Sequence, residues 1–307
     1  MVRDLSLKEK MIYDYRQRLK SCDDSWLSSD RLISDSKNNS KSAGGLDFQG
    51  IYLRDMGLSA YTFLNTLSRN NASVKLNGCS MFIEKLICRD ASMQGYNDIE
   101  HLLSDWTQSL CYRGRLFFEI ECLCSKEDNV NFKFTLNRLD NEYCKIVRKG
   151  IIYTKEKQNV FIPHNKCIII DFPSKLGGFV EFEQVYKKML ALGDKFTKDG
   201  MISDIDEWQF KFNTYIHKWG IHNLKDYNEY YQCINLFRFK KSSLLCLLSC
   251  IEGFKKLLLY FNGKFNENAV LEIVNNRCDL NSFEEIENKL MKGEISIETA
   301  RNYIFNY

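Results

Sequence analysis

Between Arg115 and Phe172 the chain reads RLFFEIECLC, NFKFTLNRL, EYCKIVRK, GIIYTK, NVFIPH and KCIIIDF, short runs rich in β-branched and aromatic residues. No helical period separates them. Parallel strands need crossovers of about a dozen residues or more, which these short gaps cannot supply, so the runs are predicted to form an antiparallel meander. This constraint orders everything else, because such a sheet must bury at least one face against something.

The flanking sequence supplies helices for that purpose. From Ile51 to Arg113 the apolar residues recur at helical spacing, in YTFLNTL, MFIEKLI and the stretch where Ile99, Leu102, Leu103, Trp106 and Leu110 share one face. Asn97 or Asp98 can cap that last helix, and Gly114 stands where a left-handed residue would end it. After Pro173 and the Gly177–Gly178 pair the pattern is again helical to the end. Leu244 to Phe261 is apolar enough for a buried central helix, and Asn281 to Tyr307 reads as a helical hairpin with Ser282 and Ser296 as caps and Gly293 in the turn. The predicted class is therefore α+β: N-terminal helices, a central antiparallel β-meander and a helical C-terminal half. An opening helix from Leu5 to Leu19 is followed, from Ser21 to Gly50, by Ser, Asp, Asn, Lys and Gly without apolar period, which marks a flexible arm. The divisions expected are 1–50 for helix and arm, 51–177 for the α+β core, and 178–307 for a helical domain.

Composition excludes several classes. With 44% hydrophobic residues in 307, the chain can bury a full core. A mean hydropathy of −0.36, without an apolar run near the ~18 residues a span requires, argues against an integral membrane protein. The opening MVRDLSLKEK lacks the apolar region of a secretory leader, so a cytoplasmic location is expected. A net charge of +3 is too small to imply a polyanionic partner by itself. Twelve cysteines are too few, in a chain this long, for a disulfide scaffold; reduced and mostly buried thiols are expected. Two prolines, against plentiful Asn, Lys, Tyr, Phe and Ile, fit an AT-biased coding sequence of bacterial or mobile-element type.

Glu119 and Glu121 are two apart in FFEIEC, so a strand points both carboxylates to one face, and Asp171 ends another predicted strand. Three acids on one sheet can hold a divalent metal, as in a metal-dependent nuclease. That chemistry usually adds a lysine two residues after a strand acid, and the Glu-x-Lys at Glu287 and Lys289 falls on a predicted helix. The plainer reading makes the acids the polar face of a half-solvated sheet. His217, His222 and Cys233 do not match a zinc-ribbon or finger spacing, and no Cys-x-x-Cys pair occurs. With no Walker loop, Gly-x-Gly-x-x-Gly turn or Gly-x-Ser-x-Gly elbow either, no metal and no cofactor is expected.

Lys145, Arg148, Lys149, Lys155 and Lys157 gather on a predicted hairpin around Gly150, with Tyr143 and Tyr153 interleaved. Cations and aromatics on a protrusion suit contact with a nucleic-acid backbone. Lysines on an edge strand also serve simply to prevent aggregation.

Taken in order, WTQSLCYRGRLFFEIE, FTLNRLDNEYCKIV, GIIYTK and FIPHNKCIIIDFPSKLGG resemble the core of tailed-phage portal proteins, over about Asp105 to Gly178. That family typically shows a helix, a glycine-containing turn, an apolar strand bearing an acid, and a short meander before long helices. The resemblance implies a ring-forming, non-enzymatic protein that surrounds or contacts DNA. The first expectation is thus a non-catalytic intracellular assembly or binding protein of phage, mobile-element or defence-locus origin. Its partners would be another protein or further copies of itself, with nucleic acid as a second class and no membrane. The competing expectation is a metal-dependent nuclease using Glu119, Glu121 and Asp171.

Overall fold

The computed structural model describes residues 73–80, 84, 87, 99–123, 133–155, 158–198, 217–220, 229–274 and 280–306. The expected opening helix, the arm from Ser21 to Gly50 and the helical run YTFLNTL lie outside them. In chain order the described elements are β1 (Ser73–Asn77), α1 (Ile99–Arg113), β2 (Arg115–Leu123), β3 (Lys133–Leu139), β4 (Cys144–Val147), β5 (Gly150–Lys155), β6 (Gln158–Pro163), β7 (Cys167–Asp171), α2 (Gly178–Lys198), α3 (Glu229–Phe265), β8 (Val270–Val274), α4 (Leu280–Met291) and α5 (Ile297–Asn306). The class is mixed α+β with antiparallel sheets.

The strands do not form one continuous meander. They divide into two three-stranded sheets, ordered β3-β2-β7 and β4-β5-β6. Two short 3-10 turns make the division: Asn141–Tyr143 carries the chain out of the first sheet, and His164–Lys166 returns it to β7. The first turn is anchored by Asn141, whose Nδ2 donates to the carbonyl of Arg115 at 2.7 Å. A further strand pair lies where the sequence reads as helical: β1 pairs antiparallel with β8, from Ser73 opposite Val274 to Asn77 opposite Val270.

Strand β2 is central and covered on both faces. Its even-numbered residues Leu116, Phe118 and Ile120 join the main core with Ile168 and Ile170 of β7 and the apolar faces of α1 and α3. On the opposite face, Phe117 joins Leu139, Ile151, Tyr153, Val160, Ile162 and Cys167 in a smaller core between the two sheets. Ile99, Leu102, Leu103, Trp106 and Leu110 are all buried, as their spacing predicts. Helix α3 runs through the middle of the main core, and Gly253 is what lets it approach β7: a Cβ there would lie 2.6 Å from Ile170 Cδ1. The α4–α5 hairpin packs on α3 through Phe283, Leu290 and Ala300, and Ser296 caps α5 by accepting from the Thr299 N–H at 3.1 Å.

Gly114 ends α1 in the left-handed conformation, at φ +70°, with its N–H donating to the Leu110 carbonyl at 2.9 Å. Its missing side chain also makes room for Phe182, whose ring occupies the space a Cβ would need. Phe182 in turn packs with Phe172 and Trp219, at centroid distances of 5.0 and 5.5 Å. Gly114→Ala is therefore expected to lower unfolding stability by about 2–4 kcal/mol, from left-handed backbone strain and overpacking together. Urea denaturation checks this, and a destabilisation below about 0.5 kcal/mol would contradict the packing described.

Candidate functional site

The acids of β2 are more deeply placed than a half-solvated sheet would put them. Glu119 and Glu121 are each only 3% exposed, on the face that carries Phe117. Within the sheet, Glu119 is flanked by Asn137 of β3 and Cys167 of β7, and Glu121 by Thr135 of β3. One carboxylate oxygen of Glu121 accepts from Thr135 Oγ1 at 3.1 Å and from Asn137 Nδ2 at 3.4 Å. Buried carboxylates are tolerated only with such donors. On the same face Phe117, Leu139 and Cys167 pack against the second sheet.

Asp171 shares that face but not that place. It stands opposite Arg115, four residues along β2 from Glu119, which at the usual strand rise is about 13 Å away. There it forms an ion pair with Arg115, whose guanidinium also lies 3.8 Å from the centroid of the Phe179 ring. Strand alternation puts Glu119 and Glu121 on one face, as their spacing predicts, and the register with β7 sets Asp171 on that face but apart from the other two. Among the described residues, no group of three or more His, Cys, Asp and Glu is arranged to hold a metal ion.

The basic hairpin is a two-residue turn, Arg148–Lys149, between β4 and β5. Lys145, Arg148 and Lys149 line it, and all three are exposed. Lys157 lies outside the described residues, and Lys155 ends β5 opposite Gln158. The turn is held rather than loose: the His164 N–H donates to the Lys149 carbonyl at 3.1 Å, and its ring Nε2 lies 3.1 Å from the Arg148 carbonyl. Tyr153, expected to interleave with the cations, instead lies buried in the smaller core and meets Tyr143 edge-on at 6.2 Å.

The exposed aromatic of this sheet is Phe161, 51% exposed. It sits opposite Ile152, which in turn sits opposite Lys145, so the three form a row across the outer face. A signal for it exists in the sequence: in NVFIP, Val160 and Ile162 face the core, and strand alternation sends the residue between them outward.

The thiols are packing groups. Cys79, Cys111, Cys144, Cys167, Cys233, Cys246 and Cys250 are unbridged among the described residues. Burial, followed by the carboxylate of Asp140 and the Cys167 thiol, pushes Cys144 up to about 12. Burial likewise raises Cys246 and Cys250, with a hydrogen bond to Cys111 adding to the first and one to Thr107 opposing the second.

No helix among the described residues is long and apolar enough to cross a membrane. No protein-family model matches this chain, and no curated protein matches it. The solved structures that resemble it include two at 10% identity and TM-score 0.34: the neck of a native GTA particle computed with C12 symmetry, covering 86% of this chain and 94% of that one, and the neck of an empty GTA particle computed with C6 symmetry, covering 85% and 94%. At that score the likeness carries no argument about activity.

The thiol environments set a pH dependence whose sign is fixed. A raised folded pKa means that the native state keeps a proton which the unfolded chain releases near pH 9. This contribution to stability is therefore complete below about pH 9 and disappears as pH rises toward 12. The urea midpoint should fall more steeply across that window in the wild type than in Cys144→Ala, and parallel curves would contradict the assignment. A thiol titration in denaturant is expected to recover close to all 12 cysteines.

Proposed function

We propose that this chain is a non-catalytic assembly or binding protein, of phage, mobile-element or defence-locus origin and portal-like in its central segment, which meets a nucleic-acid backbone through the outer face of the β4-β5-β6 sheet. The observation that carries this reading is the row Lys145, Ile152 and Phe161 beside the Arg148–Lys149 turn. Cations and an exposed ring lie there on one rigid face, and His164 fixes the turn. Cations of this kind contact phosphates without reading sequence, and a flat ring offers a base a stacking surface.

Two further observations support it. Helix, glycine turn, acid-bearing strand, short strands and helix follow one another from Ile99 to Lys198 in the order that the portal resemblance implies. Glu119 and Glu121, which a nuclease would need open to substrate and metal, are each only 3% exposed, and Glu121 accepts hydrogen bonds from β3. That arrangement favours a structural role for them over the alternative of a metal-dependent nuclease.

Light scattering behind size exclusion, with the 260/280 nm absorbance ratio recorded, tests the assembly reading. Multimers are expected, and a monomer at every concentration would overturn it. For the binding face, replacing Lys145, Arg148 and Lys149 by Ala should weaken nucleic-acid binding equally across sequences. The log–log salt slope should flatten by about one unit for each phosphate no longer neutralised. Phe161→Ala should weaken single-strand binding more than duplex binding. An unchanged slope in the folded triple variant would remove this face from the interface. Magnesium- or manganese-dependent cleavage, abolished by Glu121→Gln in a protein of unchanged melting temperature, would replace the proposal with the nuclease.

A further inference from the structure

Strand β7 is an edge strand, since the first sheet is ordered β3-β2-β7. Which of its backbone groups are paired follows from one hydrogen bond. The Phe172 N–H donates to the Gly114 carbonyl at 2.8 Å, and in an antiparallel ladder such bonded pairs alternate, so Ile170 and Ile168 turn their backbone groups toward β2. Ile169 and Asp171 therefore turn theirs the other way. No strand pairs with that side of β7 among the described residues. The Cys167 N–H faces outward too, but it closes the preceding 3-10 turn on the His164 carbonyl.

That open edge does not face bulk solvent alone. It borders a groove of about 410 Å³ whose far wall is one face of α3, from Leu245 through Leu248 to Lys256. At about 1.5 Å per residue this stretch of helix is about 16 Å long, the length of about five extended residues. The groove is apolar along Leu245, Leu248 and Ile170 and charged at its rim. Of the rim acids, Asp171 is paired with Arg115 and Glu252 with Lys255, the latter at 2.6 Å. Lys175 and Lys256 have neither ion pair nor side-chain hydrogen bond among the described residues. With both rim acids engaged by Arg115 and Lys255, Lys175, which also acts on the Glu284 carboxylate, and Lys256 are the charges that the rim offers to a ligand.

We propose that this groove binds an extended peptide segment of a partner protein, which adds a strand to β7 and presents acidic side chains to Lys175 and Lys256. The open ladder groups of Ile169 and Asp171 select an extended backbone, because only a strand offers donors and acceptors at that repeat. The apolar wall of α3 accepts one set of alternating side chains, and the two lysines select acids for the positions at the rim. The groove rests on the assembly reading and deepens it by naming a kind of partner.

The test is selection of random twelve-residue peptides displayed on phage against the full chain. The selected peptides are resynthesised with a fluorophore, and binding is measured by anisotropy. Expected are peptides with Asp or Glu at alternating positions whose affinity falls about tenfold or more in the Lys175→Glu/Lys256→Glu double variant. Ile169→Pro, which deletes an outward N–H and leaves the bonds to β2 in place, should also abolish binding. The double variant, changed only at the charged rim, decides the matter if the proline variant does not fold. Failure to enrich any peptide, a consensus without acids, or affinity unchanged by the double reversal would overturn the proposal. So would a single-stranded oligonucleotide that displaces the peptide, since the groove would then belong to phosphates. Multimers by light scattering alongside a failed selection would remove the groove alone. Peptide binding by a strict monomer would keep the groove and remove the assembly reading.

Discussion

Trp106 of α1 stacks on Phe118 of β2, with ring centroids 4.6 Å apart, and also meets Phe254 of α3 at 6.1 Å. That single side chain joins the first helix, the central strand and the long helix. Truncating a buried tryptophan to alanine typically costs about 3–5 kcal/mol, a large share of what holds a domain together. Because Phe118 faces this way, Phe117 and Glu119 must face the other, where Phe117 packs into the core shared with the second sheet. The two acids are buried as a consequence of where β2 lies. For Glu121, the hydrogen bonds from β3 then make the burial tolerable.

Local rules account for much of the fold. The face of α1 is legible because five apolar residues at helical spacing must be buried together, and Gly114 is legible as its end because few other residues adopt a left-handed conformation easily. The central strands are legible from their composition. Their grouping is not: antiparallel runs separated by short turns can be one sheet or two, and the choice is made by β7 returning to β2, a pairing between residues about fifty positions apart. The strand SVKLN carries no signal above its surroundings, since its partner lies far along the chain and five residues leave little room for a period.

The candidate surface is half legible. Lys145, Arg148 and Lys149 are exposed where the charges suggest. Counting aromatics near cations misplaces Tyr153, whereas strand alternation turns it inward and Phe161 outward. The open edge of β7 cannot be read from the sequence at all, because an edge exists only once the order of strands is known.

The ribbon of β1 and β8 has a consequence for how the chain is made. Ser73 meets Val274 across about two hundred intervening residues, so β1 leaves the ribosome long before anything can pair with it. Closing a loop that long is entropically costly and slow, and the contact order it adds favours late closure over early nucleation. At about 5–20 residues per second, synthesis leaves β1 without its partner for about ten seconds or more. During that interval Val74 and Leu76, which pack against the main core in the finished fold, have no sheet to belong to. A nascent chain of this design is therefore exposed, for that time, to pairing with its neighbours on the same message.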